Sequence, residues 1–153
     1  MELILIVGEG KDVGKTLLGE RLVAALVGKG FHVGVVKHVH HGVDYRVKDT
    51  GRYLGAGAKK VVAIGPREYM IVEKERIGFW EAIMMLRGFD VVVVEGFREH
   101  IDNIVRHGGC TAYVGDSGVV EIEPGSRSTR SLDEALERLL DLIFTKRCTI
   151  AFS

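Results

Sequence analysis

Residues 3–18 read LILIVGEGKDVGKTLL, and how this stretch folds decides how the rest of the chain is arranged. Its opening run, Leu3-Ile4-Leu5-Ile6-Val7, is unbroken apolar sequence of the kind that fits a strand buried on both faces. Glycines and a lysine then lead into residues 15–27, where Leu17, Leu18, Leu22, Ala25 and Leu26 share a broad apolar face and Gly28-Lys29-Gly30 supplies a helix stop. Strand, glycine loop, helix is the setting in which Gly14-Lys15-Thr16 closes a phosphate-binding loop. Backbone N–H groups freed by glycine cradle phosphate oxygens, the lysine reaches the outer phosphates, the hydroxyl holds magnesium, and the helix turns its positive end to the anion. The loop is one residue longer than the usual form, with Gly8 one place early and Glu9 where the first glycine normally stands. Gly8, Gly10, Lys11, Asp12, Val13, Gly14, Lys15, Thr16 and Leu17 are the residues expected to contact a nucleotide. The competing reading is a glycine-rich turn with a solvated lysine.

A chain of 153 residues, 46% hydrophobic, fits one domain over 1–153 with a substantial core. Lys plus Arg and Asp plus Glu number 21 each, so the charge balance calls for neither nucleic acid nor an anionic membrane as partner. The apolar runs are too short to span a bilayer, and a chain that starts on a strand leaves no room for a signal peptide, so a cytoplasmic protein is expected. Cys110 and Cys148 stand far apart and in no CxxC pattern, which excludes an all-cysteine zinc site, and in a reducing compartment plain buried thiols are expected rather than a disulfide. Glutamine is absent, Asn103 is the sole asparagine and 27% of residues are charged, a composition typical of thermophiles.

Residues 31–37 read as a second strand, completing a βαβ unit whose strands should lie parallel. The segment 37–58, KHVHHGVDYRVKDTGRYLGAGA, then gathers His38, His40 and His41 beside Lys37, with Asp44 and Asp49 close behind. This is the C-terminal end of a parallel strand, where α/β sheets place their ligands. Imidazoles two apart on extended chain share a face and could bind zinc or nickel; equally they could contact phosphates, water or a partner. A short helix over 50–58, strands over 60–64 and 69–72, and a helix over 78–86 follow, with Trp80 and Met84-Met85 assigned to core or subunit packing. The run DVVVVEG, 90–96, is a buried strand that ends in Glu95, the carboxylate such a loop needs beside its magnesium. Its alternative role is a helix cap or a salt bridge with Arg98.

Further on, 103–107, 111–114 and 119–122 read as strands, the last two joined through Gly115-Asp116-Ser117-Gly118, and SRSTR at 126–130 as a solvated loop. Ser131 and Glu134 form a capping box before a final helix striped by Leu132, Leu136, Leu139, Leu140 and Ile143. Together these elements give an α/β fold, a mostly parallel sheet flanked by helices in the three-layer sandwich of P-loop NTPases, which is Rossmann-like.

Three separated stretches resemble the MobB family of molybdopterin-guanine dinucleotide biosynthesis proteins. They are the loop from Gly8 to Thr16; Lys37-His38-Val39-His40-His41 with Lys48-Asp49-Thr50 and Ala56-Gly57-Ala58; and Val94-Glu95-Gly96-Phe97-Arg98. The resemblance implies a dimeric protein that binds GTP and Mg²⁺, hydrolyses GTP weakly, and assists the guanylyltransferase that attaches GMP to molybdopterin. It further implies that Lys15 and Thr16 bind phosphate and magnesium, that Glu95 and Asp49 surround the metal or the attacking water, and that His38, His40 and His41 line the adjoining pocket. The chain is shorter than the family pattern just ahead of Lys48, where Arg46-Val47 stand, and Thr50 replaces the family's serine.

The residues themselves limit any enzymatic role. Many GTPases orient water with glutamine, which this chain lacks, so hydrolysis should be slow, with Glu95, Asp44, Asp49 or a histidine as the water-orienting group and any arginine finger coming from a partner or second subunit. No Asn-Lys-x-Asp motif selects guanine; Asp116 is the one candidate to pair with its N1 and N2 donors. Two other functions compete: an ATP-dependent enzyme similar to dethiobiotin synthetase, which shares the lengthened loop, and a metal-delivery NTPase using His38, His40 and His41.

Overall fold

The computed structural model describes residues 1–43 and 48–151; Asp44, Arg46 and Val47 lie outside the described residues. The opening apolar run forms β1 (Glu2–Gly8), and Leu3 to Val7 are at most 1% exposed. In chain order there follow α1 (Lys15–Gly28), β2 (Val33–Lys37), α2 (Lys48–Gly55), β3 (Lys60–Ile64), β4 (Tyr69–Glu73), α3 (Phe79–Met84) and β5 (Val91–Glu95). A 3₁₀ turn (Arg98–His100), α4 (Ile101–Arg106), β6 (Cys110–Val114), β7 (Val120–Glu123), β8 (Arg127–Thr129) and α5 (Leu132–Phe144) complete the chain. By its internal contacts the chain divides into two units, Met1–His38 with Ala82–Ser153, and Val39–Glu81.

The first unit holds a six-stranded sheet in the order β2-β5-β1-β6-β7-β8. β2, β5, β1 and β6 run parallel, and β7 and β8 extend the sheet antiparallel. The two strands of the expected βαβ unit are indeed parallel, yet β5 is inserted between them and pairs with both. That insertion sets Glu95 level with Ile6 on one side and Lys37 on the other.

α1 buries Leu18, Leu22 and Leu26 in the same cluster that takes Ala135, Leu139, Leu142 and Ile143 from α5. It ends where glycine allows: Gly30 has φ 87°, its N–H donates to Val27 O (3.0 Å), and Phe31 N–H donates to Leu26 O (3.1 Å), the two bonds of a Schellman motif. Phe31 therefore belongs to the helix stop, and the strand begins two residues later than expected. α5 starts on a capping box in which Ser131 Oγ accepts from Glu134 N–H (3.2 Å), while the Glu134 carboxylate reaches Arg130 N–H (2.8 Å).

Four expectations are corrected. Residues 103–106 belong to a helix, α4, with His107 as its C-cap: the β-branched pair Ile104-Val105 favours a strand, but Gly108 (φ 90°) and Gly109 close another Schellman motif onto Val105 and Ile104. Within SRSTR, Arg127–Thr129 is a strand, β8, because pairing with β7 supplies what apolar alternation does not; Thr129 is buried and its hydroxyl donates to Val120 O at 3.2 Å. The helix expected over 78–86 is the shorter α3, with Phe79 and Ile83 buried and Met85, 73% exposed, beyond its end. Finally, Cys110 and Cys148 form a disulfide. Neither the expected reducing compartment nor the sequence spacing anticipates the pairing, which the sheet makes: Cys110 is level with Ile4 of β1 and Cys148 O accepts from Leu3 N–H, so β1 brings the two cysteines together.

In the second unit β3 and β4 form an antiparallel hairpin, with Lys60 paired to Glu73 both in register and as an ion pair (3.0 Å). α2 stops at a third Schellman motif, since Gly57 has φ 112° and Gly57 and Ala58 donate to Leu54 O and Tyr53 O. The Ala56-Gly57-Ala58 triplet thus has a local structural cause. No helix among the described residues is long and apolar enough to cross a membrane.

Candidate functional site

The C-terminal ends of four parallel strands converge in the first unit, and the loop after β1 lies among them. Gly14 caps α1 in the left-handed region (φ 105°) without a side-chain cap. The first helical backbone bond runs from Leu18 N–H to Gly14 O, so the N–H groups of Lys15, Thr16 and Leu17 come before the helical ladder, where a helix offers donors to an anion. Asp12, at φ 58°, adds a second left-handed turn in the same loop, a conformation Asp tolerates better than most residues. Gly8 is required by space: a Cβ there would meet Val13 Cγ2 at 2.6 Å and Lys15 Cδ at 2.8 Å. Gly10, Lys11 and Asp12 are exposed, Val13 packs against the core, and Leu17 is 44% exposed.

Lys15 donates its ammonium to Gly10 O within the loop. Thr16 Oγ1 donates to Glu95 Oε1 at 3.0 Å. The competing salt bridge is not what orients Arg98, whose guanidinium lies 5.1 Å from the Tyr113 ring centroid. Thr16 and Glu95 supply hard oxygen donors, and their separation suits neighbouring ligands of an octahedral magnesium ion, about 2.9 Å apart for bonds of 2.0–2.1 Å. The donor set therefore fits Mg²⁺, with Thr16 and Glu95 as the residues that would hold it.

Of the remaining expected residues, His38 belongs to this unit and is half-buried at the end of β2. Its ring stacks on Phe97 with centroids 4.5 Å apart. Asp116 is exposed in the β6–β7 turn, and its N–H donates to Glu9 Oε2 at 3.2 Å. His40, His41 and Asp49 are carried by the second unit, and all three are exposed. Among the described residues no group of three His, Cys, Asp or Glu side chains is arranged to hold a metal ion.

Two features escaped sequence reasoning. Glu9, noted only as an irregular loop residue, ties the loop to the β6–β7 turn through Asp116 and through its own N–H to Val114 O (3.0 Å). Phe97 adopts φ 57°, a conformation costing a non-glycine residue about 1–2 kcal/mol, so that its ring reaches His38. Gly96 beside it was the available signal.

A glycine loop between a buried strand and a helix, with a carboxylate from the adjacent parallel strand against the loop's threonine, defines the first unit as a P-loop NTPase fold. The family model for Molybdopterin guanine dinucleotide synthesis protein B, MobB, matches residues 3–107, and the chain belongs to that family. Over 101 residues it is 32% identical to the molybdopterin-guanine dinucleotide biosynthesis adapter protein of Escherichia coli (strain K12), covering 60% of this chain and 58% of that protein. The protein of the same name from Haemophilus influenzae (strain Rd) is 32% identical over 101 residues, covering 61% and 57%. The match thus spans little more than half the length of these curated relatives. The X-ray structure of a MobB protein homolog from Bacillus stearothermophilus aligns over 95% of this chain and 99% of that one, with a TM-score of 0.64 at 20% identity, a likeness of fold.

Proposed function

We propose that this chain binds GTP with Mg²⁺, hydrolyses it slowly, and acts as an adapter in molybdopterin guanine dinucleotide synthesis by assisting the guanylyltransferase. The observation that carries the reading is the Thr16–Glu95 contact at 3.0 Å directly beside Lys15, within the stretch matched by the family model. Lys15 would leave Gly10 O for the outer phosphates, and the N–H groups opening α1 would take the remaining phosphate oxygens. Magnesium, when bound, would neutralise phosphate charge between Thr16 and Glu95. The slow turnover follows from the absence of any glutamine to orient water. The adapter role comes from the names of the two relatives; a homodimer in the cytoplasm is part of the same proposal.

Comparing GTP and ATP affinity with and without Mg²⁺, together with a pull-down of the guanylyltransferase in the presence and absence of GTP, tests this reading. Preference for GTP and nucleotide-dependent capture are expected. Preference for ATP accompanied by a carboxylating turnover would replace it with the dethiobiotin-synthetase-like alternative.

A further inference from the structure

The peptide that joins Glu95 to Gly96 is held from both sides. Glu95 O accepts from His38 N–H at 2.9 Å, and Gly96 N–H donates to Ile6 O at 2.9 Å. Beyond it Gly96 (φ 90°) and Phe97 (φ 57°) are both left-handed, and the resulting bend returns the Phe97 ring onto His38, with an interplanar angle of 15°. His38 therefore grips the turn twice, through its backbone at Glu95 and through its ring at Phe97. Only glycine permits this closure, because a Cβ at position 96 would meet His38 Cβ at 2.7 Å.

A bulky residue held in a disfavoured backbone region, with its ring contact as compensation, is arranged to keep a turn in one form. What that turn fixes is the residue just before it, Glu95, whose carboxylate meets Thr16. We propose that Phe97 is a positioning residue: its stack on His38 locks the turn after β5 and so holds the Glu95 carboxylate in register with the Thr16 hydroxyl for Mg²⁺. The inference rests on the reading of Thr16 and Glu95 as the magnesium-side pair. Residues that orient metal ligands from behind typically change metal affinity 10–100-fold when removed.

The test uses the full chain as Phe97→Gly, Phe97→Ala and Phe97→Tyr, with GTP affinity measured in EDTA, the Mg²⁺ midpoint measured at fixed GTP, and thermal unfolding as the check on folding. Phe97→Gly, which tolerates the left-handed backbone, and Phe97→Ala should each raise the Mg²⁺ midpoint about tenfold while GTP affinity in EDTA stays at the value of the unaltered chain. Phe97→Tyr should restore the midpoint. An unchanged midpoint in Phe97→Gly, or a parallel loss of affinity in EDTA, overturns the positioning role, the second because it marks a general loosening of the fold. Absence of any Mg²⁺-dependent GTP binding by the unaltered chain overturns the functional reading and this inference with it.

Discussion

Lys15→Ala separates ligand binding from folding. Within the protein the ammonium makes a hydrogen bond to Gly10 O from a half-buried position, a contact worth about 0.5–1.5 kcal/mol net. On a protein of this size that amounts to a fall in Tm of roughly 1–6 °C. Toward a triphosphate the same group would make two charge-assisted bonds of about 1.5–3 kcal/mol each, so their loss removes about 3–6 kcal/mol of binding. At about 1.4 kcal/mol per tenfold, GTP affinity should fall by roughly 10²–10⁴. Calorimetric titration of GTP with Mg²⁺, alongside thermal unfolding of the same samples, measures both quantities. A change in affinity of less than about tenfold would refute the assignment of the lysine to phosphate. A collapse of Tm with residual binding intact would show that Lys15 belongs to the fold instead.

Gly8→Ala moves Lys15 without altering it: the new Cβ would press on Val13 Cγ2 and Lys15 Cδ, so GTP affinity should fall about tenfold for an overpacking cost of about 1–3 kcal/mol, read by the same titration. Reduction of the Cys110–Cys148 disulfide, which closes a separation of 38 residues, should cost about 4 kcal/mol on the loop-entropy estimate and lower Tm by roughly 8–16 °C in a reductant series, with the Cys110→Ser/Cys148→Ser double variant insensitive to reductant. Lys146→Gly should raise stability by about 1 kcal/mol in denaturant unfolding, because Lys146 occupies a left-handed position (φ 57°) in the Schellman stop of α5, where its N–H donates to Ile143 O and that of Arg147 to Leu142 O.

The elements that the chain spells locally are the ones legible without the structure. β1 and β5 are continuous apolar runs, α5 announces itself with Ser131 and Glu134, and the Gly115-Gly118 turn sits between matched strands. What failed depends on partners distant in sequence or on backbone geometry. β8 is polar and exists through β7, and Ser128 Oγ reaches Glu121 Oε1 at 2.5 Å only once the strands pair. The disulfide depends on the register of β6 against β1. In α4 the β-branched residues Ile104 and Val105 point to a strand, although Gly108-Gly109 carries the same stop signal as the glycines at the end of α1.

The candidate site follows the same division, and the reason is topological. Lys15 and Thr16 are readable because a strand, a loop and a helix succeed one another along the chain. Glu95 is 79 residues from Thr16, and DVVVVEG places β5 inside a sheet without showing that its neighbours there are β1 and β2. In the inserted position the strand ends beside the loop, since pairing with β1 sets Glu95 level with Ile6, two residues before the loop begins at Gly8. An edge strand beyond β2 would end a further strand away, about 4.8 Å more distant than a hydrogen bond from Thr16 allows. The chemistry attributed to the loop therefore depends on strand order, and the sequence constrains that order only through the rule that a parallel strand so apolar on both faces, with Val91 to Val94 at most 1% exposed, must lie inside a sheet.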